Sequence, residues 1–415
     1  MGKKSSRKNP HCPAPTTGEE HDGSEKRTEE DIRNDEKEME HFRDIQYSFL
    51  DYAPYMSLEY NRRQHAYDIL PEKYKKYLPP EVWNAKQEDF KKCIMTNARF
   101  LVNVVKTKNY YTDLFGVPTK KRDHLTAAYQ MSKVKSTLHQ LIRDWSDEGR
   151  EERELCYTPL LEALEKYVPI VREPDGTITP EHHRRVLVPG TGLSRLLMEV
   201  VERGYGGQGN EFSYQMLLVS NYMLNHVFEE KSITLYPWTD GTNNIFATGD
   251  NNRPILIPDV VPCNKVPEGS DFSMCAGEFV DSYSEQESEW DCVLTCFFVD
   301  TAPVVFEYVE LIYKILKPGG YWINLGPLLY HWQCSEDVCA EEMDERYGKS
   351  IELSYEELKK AMVQCGFEVE EERRICTPYT DNILSMMTTL FRGVMFVAKK
   401  RWHGLVVSLD FARYT

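Results

Sequence analysis

Arg185-Val-Leu-Val-Pro-Gly-Thr-Gly-Leu-Ser-Arg195 sets the architecture of this chain. A short β-branched run (Val186, Leu187, Val188) ends in a glycine turn, and an amphipathic segment over 193–202 follows at once. The pattern predicts a strand, a tight loop able to approach a nucleotide, and a helix N-terminus. A second small-residue strand, Gly206-Gly-Gln-Gly-Asn, leads to Glu211. An acid at that distance is where a ribose-binding carboxylate belongs in the first βαβ unit of a nucleotide-binding sheet.

The glycines narrow the choice of nucleotide. A dinucleotide site asks for G-x-G-x-x-G, the last glycine letting the helix pack closely. Gly190 and Gly192 fit, but Arg195 occupies the third position. That argues against a pyrophosphate pressed onto the helix. It suits S-adenosyl-L-methionine, which has no phosphate and needs close backbone beside its methionine part and a carboxylate on its ribose. A glycine turn that binds nothing stays open on this segment alone.

The whole chain bounds the rest. Its 415 residues allow one large α/β domain with additions, and 41% hydrophobic content supports a substantial core. A net charge of −16 disfavours a nucleic-acid surface, which must neutralise phosphates. No apolar run reaches membrane-spanning length and no signal peptide is expected. Cys275, Cys292, Cys296 and Cys365 read as reduced core thiols of an intracellular protein. The expected location is the cytoplasm, and also the nucleus. Cys334 and Cys339 lack a second pair, so no metal is expected. Residues 1–30 read as a disordered tail. Met1-Gly2-Lys-Lys-Ser-Ser6 matches the myristoylation pattern with Lys3, Lys4, Arg7 and Lys8 beside it, and a basic solvated tail is the preferred reading.

Residues 31–170 form a helical N-terminal module. Apolar stripes recur through Met39, Phe42, Ile45, Phe49 and Tyr52, and again through Phe90, Cys93, Ile94, Ala98, Leu101 and Val105. A module of this size covers a sheet or makes a subunit contact, with a homodimer as the candidate assembly. Gln140 and Arg143 share a helical face, and periodicity alone makes them an exposed polar pair.

Residues 171–400 carry the sheet. After Glu211 a helix spans 213–228, and a Pro- and Asn-rich excursion over 230–270 reads as an inserted lid over the site or a wall beside it. Glu278 ends the next strand, placed to accept from an adenine amino group, with Phe279 available to stack on the ring. Trp290-Asp-Cys-Val-Leu-Thr-Cys-Phe-Phe-Val-Asp300 is nearly continuously apolar, the mark of a strand buried on both faces of a parallel sheet. Asp300 falls outside its carboxyl end, where α/β sheets present reactive side chains. Lys317-Pro-Gly-Gly320 turns into the strand at 321–325, which exits through Gly326-Pro-Leu-Leu-Tyr-His331. Two final strands close the sheet, and 401–415 form an extension.

On these residues the chain resembles the carnosine N-methyltransferase family. Arg143-Asp-Trp-Ser, Val188-Pro-Gly-Thr-Gly-Leu, Gln208-Gly-Asn-Glu211, Leu235-Tyr-Pro-Trp, Cys296-Phe-Phe-Val-Asp-Thr-Ala302, Trp322-Ile-Asn-Leu-Gly-Pro-Leu-Leu-Tyr-His331, Ile351-Glu-Leu-Ser-Tyr and Leu384-Ser-Met-Met387 carry the likeness. It runs from about Asp35 to Lys399, sparing part of 230–270 and an insertion near 334–349. The resemblance implies a Rossmann-like class I methyltransferase with a mostly parallel seven-stranded sheet, using S-adenosyl-L-methionine. It also implies that Gln140, Arg143, Gly190, Glu211, Glu278, Phe279 and Cys296 hold the cofactor. Asp300 and His331 match the family's imidazole-binding residues, and Tyr379 a substrate-side tyrosine. One departure concerns the acceptor. Thr388-Thr-Leu-Phe391 stands where animal members have a run of tyrosines, so Phe391 offers a ring without the hydroxyl.

The chemistry expected is methyl transfer to an imidazole nitrogen of carnosine or a related histidine-containing dipeptide. Asp300 would accept the N–H of one ring nitrogen and aim the other's lone pair, while His331 would hydrogen-bond the acceptor and take the proton released. Taken singly, Asp300 also reads as a helix N-cap and His331 as a core histidine. The rival readings are a methyltransferase for a histidine in a peptide or protein, a cofactor-binding scaffold without activity, and, more remotely, a nicotinamide-dependent oxidoreductase.

Overall fold

A computed structural model describes residues 29–107, 124–176, 178–179, 182–333 and 345–401. The expectations for the basic tail through residue 28, for Cys334 and Cys339, and for 402–415 lie outside the described residues.

The chain begins with helices α1 (Glu29–Leu50), α2 (Tyr52–Asp68), α3 (Glu72–Lys75), α4 (Pro80–Lys106), α5 (His124–Trp145) and α6 (Arg150–Tyr167). Ile45 and Phe49 of α1 and the whole Phe90-to-Val105 stripe of α4 are buried, whereas Met39 is exposed. This core is continuous with Leu193, Leu218, Leu235 and Ile255, which belong to the sheet-bearing half. Among the described residues, no helix is long and apolar enough to cross a membrane.

The sheet is built from β1 (Arg185–Pro189), β2 (Gly206–Glu211), β5 (Phe272–Ala276), β6 (Trp290–Cys296), β7 (Leu316–Gly326), β8 (Phe367–Pro378) and β9 (Leu390–Lys400). Its order is β5-β2-β1-β6-β7-β9-β8. Strands β5, β2, β1, β6 and β7 run parallel, and β9 is antiparallel to both β7 and β8. Side chains alternate between two buried faces, as a period of two requires. Val186, Val188, Leu294 and Ile323 face α6 and α7 (Arg195–Glu202). Leu187, Val293, Trp322 and Phe396 face α9 (Phe279–Tyr283), α10 (Val305–Ile315) and α11 (Tyr355–Cys365).

Two loops leave neighbouring strands in opposite directions between β1 and β6, opening the crevice in which α/β sheets bind ligands. The helix after β1 packs closely without a third glycine. A Cβ on Gly207 of β2 would stand 2.7 Å from Val201 and 2.8 Å from Leu197. The glycine that permits close helix–strand packing therefore sits on the strand. Arg195 turns away to Asp259, with Nη1 2.7 Å from Oδ1, and to the Asp144 carbonyl at 2.9 Å.

The 230–270 excursion contributes α8's neighbouring hairpin of β3 (Ile233–Leu235) and β4 (Ile255–Ile257), α8 being Tyr214–His226. Buried Asn97 of α4 clamps it, donating to the Tyr236 carbonyl at 2.9 Å and accepting the Tyr236 amide at 2.8 Å. Its far end pairs with the β8–β9 connection through Ile245 and Ser385. The β3–β4 end of the excursion is thus docked on the helical half.

Candidate active site

The glycine loop after β1 holds alternate residues at positive φ: Gly190 at 64°, Gly192 at 55° and Ser194 at 64°. A Cβ at Gly190 would lie 2.4 Å from Phe298 Cδ2, so only glycine lets the loop and the β6 exit approach so closely. Glu211, at the end of β2, accepts the Gly192 amide at 2.8 Å on Oε2 and the Ser213 amide at 2.8 Å on Oε1. Burial raises its carboxyl above the ordinary range, and those backbone donors oppose the rise. An ionised carboxylate has about four lone-pair positions, so capacity for ligand hydroxyls remains. The buried Thr191 hydroxyl in the same loop has no hydrogen-bond partner among the described residues. A polar ligand lying on this loop suits such a lining.

Glu278 lies two residues past β5 and caps α9, its Oε2 accepting from Val280 N at 2.7 Å and Asp281 N at 3.0 Å. Burial raises this carboxyl too. Phe279 departs from expectation. Its ring is 2% exposed and packs against Phe298 at 5.4 Å and Tyr308 at 5.1 Å, centroid to centroid. The first residue of α9 is turned into the core by its helical register, so its ring face is not available for stacking on an adenine.

Gln140 and Arg143 are not an exposed pair. They are 8% and 7% exposed, because elements distant in sequence cover that face of α5. Gln140 Nε2 donates to the Tyr379 hydroxyl, and the Arg143 guanidinium stands 4.8 Å over the Tyr379 ring. Arg143 also donates to the sulfur of Cys296 at 3.8 Å. Its Nε lies 2.8 Å from Glu152 Oε1, outside hydrogen-bond alignment, which makes the contact an ion pair. Glu152 in turn accepts the Thr380 amide at 2.9 Å and so holds the turn that carries Tyr379. Burial pushes the Cys296 thiol and the Tyr379 hydroxyl each up to about 12. Both are neutral near pH 7, so neither serves as a thiolate or phenolate nucleophile.

Asp300 and His331 come together. The Asp300 carbonyl accepts the His331 amide at 2.9 Å, and Asp300 Oδ2 accepts the Leu329 amide at 2.7 Å. The carboxylate is 2% exposed, yet its partners lie past the end of β7, on the rim of the crevice and not in the core. It does not cap α10, whose N-cap residue is Val304 with no side-chain cap. Burial raises the Asp300 carboxyl, opposed by the Leu329 amide and the charge of His331. His331 is exposed, which removes the core-histidine alternative.

Phe297 was not singled out by sequence. It sits between Cys296 and Asp300 at φ 52°, with its ring 4.6 Å from Tyr379 and 5.8 Å from Phe391. It joins the β6 exit to the β8–β9 hairpin. In an apolar run it looks like one more strand residue, and nothing in its sequence context marks the left-handed turn.

A separate cavity of about 340 Å³ lies behind Arg143, lined by Arg143, Glu148, Glu152, Trp238, Asp381 and Leu390 among others. None of Gly190, Glu211, Glu278 or Asp300 borders it. The glycine loop, Glu211, Glu278 and Asp300 lie instead at or just past the ends of the parallel strands β1, β2, β5 and β6, where α/β sheets bind ligands.

The family model described as Carnosine N-methyltransferase matches residues 120–402. The carnosine N-methyltransferase of Mus musculus is 40% identical over 366 residues, covering 88% of this chain and 86% of its own. The chain belongs to the carnosine N-methyltransferase family. The Dictyostelium discoideum member is 35% identical over 379 residues, with 87% of this chain and 76% of that one covered. The Drosophila melanogaster member named Carnosine N-methyltransferase unmet is 33% identical over 400 residues, with 89% and 81% covered. Within the family's frame the sheet order is that of a class I methyltransferase: five parallel strands with β1 central, then β9 inserted antiparallel between β7 and β8.

Proposed function

We propose that this protein transfers a methyl group from S-adenosyl-L-methionine to a ring nitrogen of the imidazole of carnosine, giving anserine, or of a related histidine-containing dipeptide. The observation that carries the reading is the main-chain link from the His331 amide to the Asp300 carbonyl, which brings the exits of β6 and β7 together next to the strand that carries the glycine loop. Family membership supports the same reading.

Glu211 would hold the ribose hydroxyls and Glu278 the adenine amino group. Gly190 lets backbone approach the ligand, and Gln140, Arg143 and Cys296 close the methionine end. The cofactor supplies a sulfonium-bound methyl group. Every other requirement falls on the chain. The nucleophile is the lone pair of a neutral imidazole, and an imidazole of ordinary pKa, near 6.5, is mostly neutral at pH 7. Asp300 accepts the N–H of one ring nitrogen, which selects the tautomer and directs the other nitrogen's lone pair to the methyl carbon. Methylation would leave the ring cationic, and the Asp300 carboxylate would stabilise its remaining N–H. His331, exposed past the end of β7, would orient the acceptor and receive the proton that the product releases. Fixing both reactants supplies most of the acceleration expected of a two-substrate reaction made local.

Phe391 favours keeping a second acceptor in view. Its ring meets Phe297 but brings no hydroxyl to the substrate side, so a histidine-containing peptide or protein is the alternative acceptor. Incubation with labelled cofactor and, separately, carnosine, related dipeptides and cell extract discriminates the two. Label on carnosine or a dipeptide supports the main reading; label only on polypeptide refutes it.

The assembly and location belong to the proposal as well: a homodimer through the N-terminal helices, in the cytoplasm and also the nucleus. Leu58, Ile69 and Tyr77, exposed by 59%, 67% and 76%, are apolar side chains of the N-terminal module that a partner would cover. Light scattering at a mass near that of the single chain would refute the dimer.

A further inference from the structure

Phe212 follows the ribose acid Glu211 at the end of β2, and Trp332 follows His331 beyond the end of β7. Between those two strands lie β1 and β6. Adjacent strands stand about 4.8 Å apart, so the two exits are roughly 14 Å apart along the sheet edge. All four strands are parallel, which puts both exits on the rim that also carries the glycine loop and Asp300.

One side chain touches both exits. The Arg346 guanidinium carbon lies 4.1 Å over the Trp332 ring and 5.8 Å over the Phe212 ring. The neighbouring Tyr347 ring meets Trp332 edge-on at 5.0 Å. Trp332 is itself fixed, its Nε1 donating to the Thr301 carbonyl at 2.9 Å, one residue after Asp300. A residue that reaches from the β2 exit to the β7 exit must pass across the mouth of the crevice between them. It cannot pass through the sheet, whose interior is packed.

We propose that Arg346 is a positioning residue that straps the cofactor-side rim to the acceptor-side rim across the mouth of the active site, and so retains the bound cofactor product and orients the acceptor. This rests on the methyltransferase reading above and assigns to 346–347 a part in it. Arginine suits the task because its flat, weakly hydrated guanidinium stacks on aromatic faces as a lysine ammonium does not. A paired cation–π contact of this kind is worth about three- to thirtyfold in a binding constant or release rate.

The test uses the full chain and S-adenosylhomocysteine as probe. Release of labelled S-adenosylhomocysteine is timed in a chase experiment for the wild type, Arg346→Ala, Arg346→Lys, Trp332→Phe and the double variant Arg346→Ala/Trp332→Ala. The expected results are release about tenfold faster in Arg346→Ala, together with a raised KM for the dipeptide and little loss of kcat. Trp332→Phe keeps an aromatic face and should restore most of the retention, whereas Arg346→Lys should not. The double variant should release no faster than Arg346→Ala, because one strap is lost only once. Release within twofold of wild type in Arg346→Ala, with the thermal midpoint unchanged, overturns the strap and leaves the methyltransferase reading standing. A wild type that binds no S-adenosylhomocysteine overturns both.

Discussion

Replacing Asp300 by asparagine isolates the step on which methyl transfer depends. The substitution is isosteric, and the carboxylate is 2% exposed with Oδ2 2.7 Å from the Leu329 amide. If the new carbonyl oxygen stays on that amide, the NH2 faces the acceptor's N–H, donor against donor. If the amide flips, the Leu329 N–H loses its partner instead. In either arrangement a charge-assisted hydrogen bond worth about 1.5–3 kcal/mol disappears, and an unpaired buried donor costs about 1–3 kcal/mol more. The sum, roughly 3–6 kcal/mol, corresponds to a loss of about 10²–10⁴ in kcat/KM at 1.36 kcal/mol per decade. Cofactor binding should be spared, since among the described residues none assigned to the cofactor hydrogen-bonds to Asp300. The assay pairs turnover on carnosine with calorimetry of S-adenosylhomocysteine on the same protein. Turnover within tenfold of wild type would refute the tautomer-selecting role. Lost S-adenosylhomocysteine binding with residual turnover would move Asp300 to the cofactor side.

Glu211→Gln should weaken S-adenosylhomocysteine binding by roughly 10- to 100-fold, because an amide oxygen cannot accept both backbone donors that now hold the carboxylate at 2.8 Å. An unchanged dissociation constant by calorimetry would count against it. The pH dependence follows from the same group. Burial raises the Glu211 carboxyl above its ordinary 4.5, so the protonated form is the one folding favours. Its contribution to apo stability is present in full below the unfolded value and lost as pH rises through the folded one. Ligand hydroxyls favour the ionised form, so S-adenosylhomocysteine affinity should begin to fall at a pH above 4.5 on acidification, and the effect should vanish in Glu211→Gln. Titration calorimetry that shows no such difference between the two proteins would sink this assignment. Gly190→Ala places a Cβ 2.4 Å from Phe298 Cδ2 at φ 64°, and should cost about 1–3 kcal/mol of stability in strain alone. A thermal midpoint equal to wild type would show that the loop and the β6 exit can separate.

Much of the sheet was open to reading from local pattern. The runs at Val186, Leu187, Val188 and at 290–296 are apolar at every position because both faces are covered, and a glycine turn between a strand and a helix has few alternatives. Asp300 was legible for the same reason: it ends such a run, where parallel sheets present side chains. Arg195 shows where pattern fell short. Its departure from the glycine fingerprint bears on packing, and the relief it withholds is supplied by Gly207 on the neighbouring strand.

Periodicity states which residues share a face, and it is silent on what will cover that face. Gln140 and Arg143 became interior because distant residues, Tyr379 more than two hundred positions later among them, fold over them. A helix start tells that Glu278 can cap, but the direction of the next ring depends on the aromatic cluster waiting for it, and Phe279 turned inward. The strap from Phe212 through Arg346 to Trp332 joins three segments with no shared motif. Sequence alone determined the strand order's raw materials and the chemical types at the strand ends, because those follow from short-range sterics and burial. The closing of the site was decided by tertiary structure, because it depends on contacts between residues whose separation along the chain carries no signal.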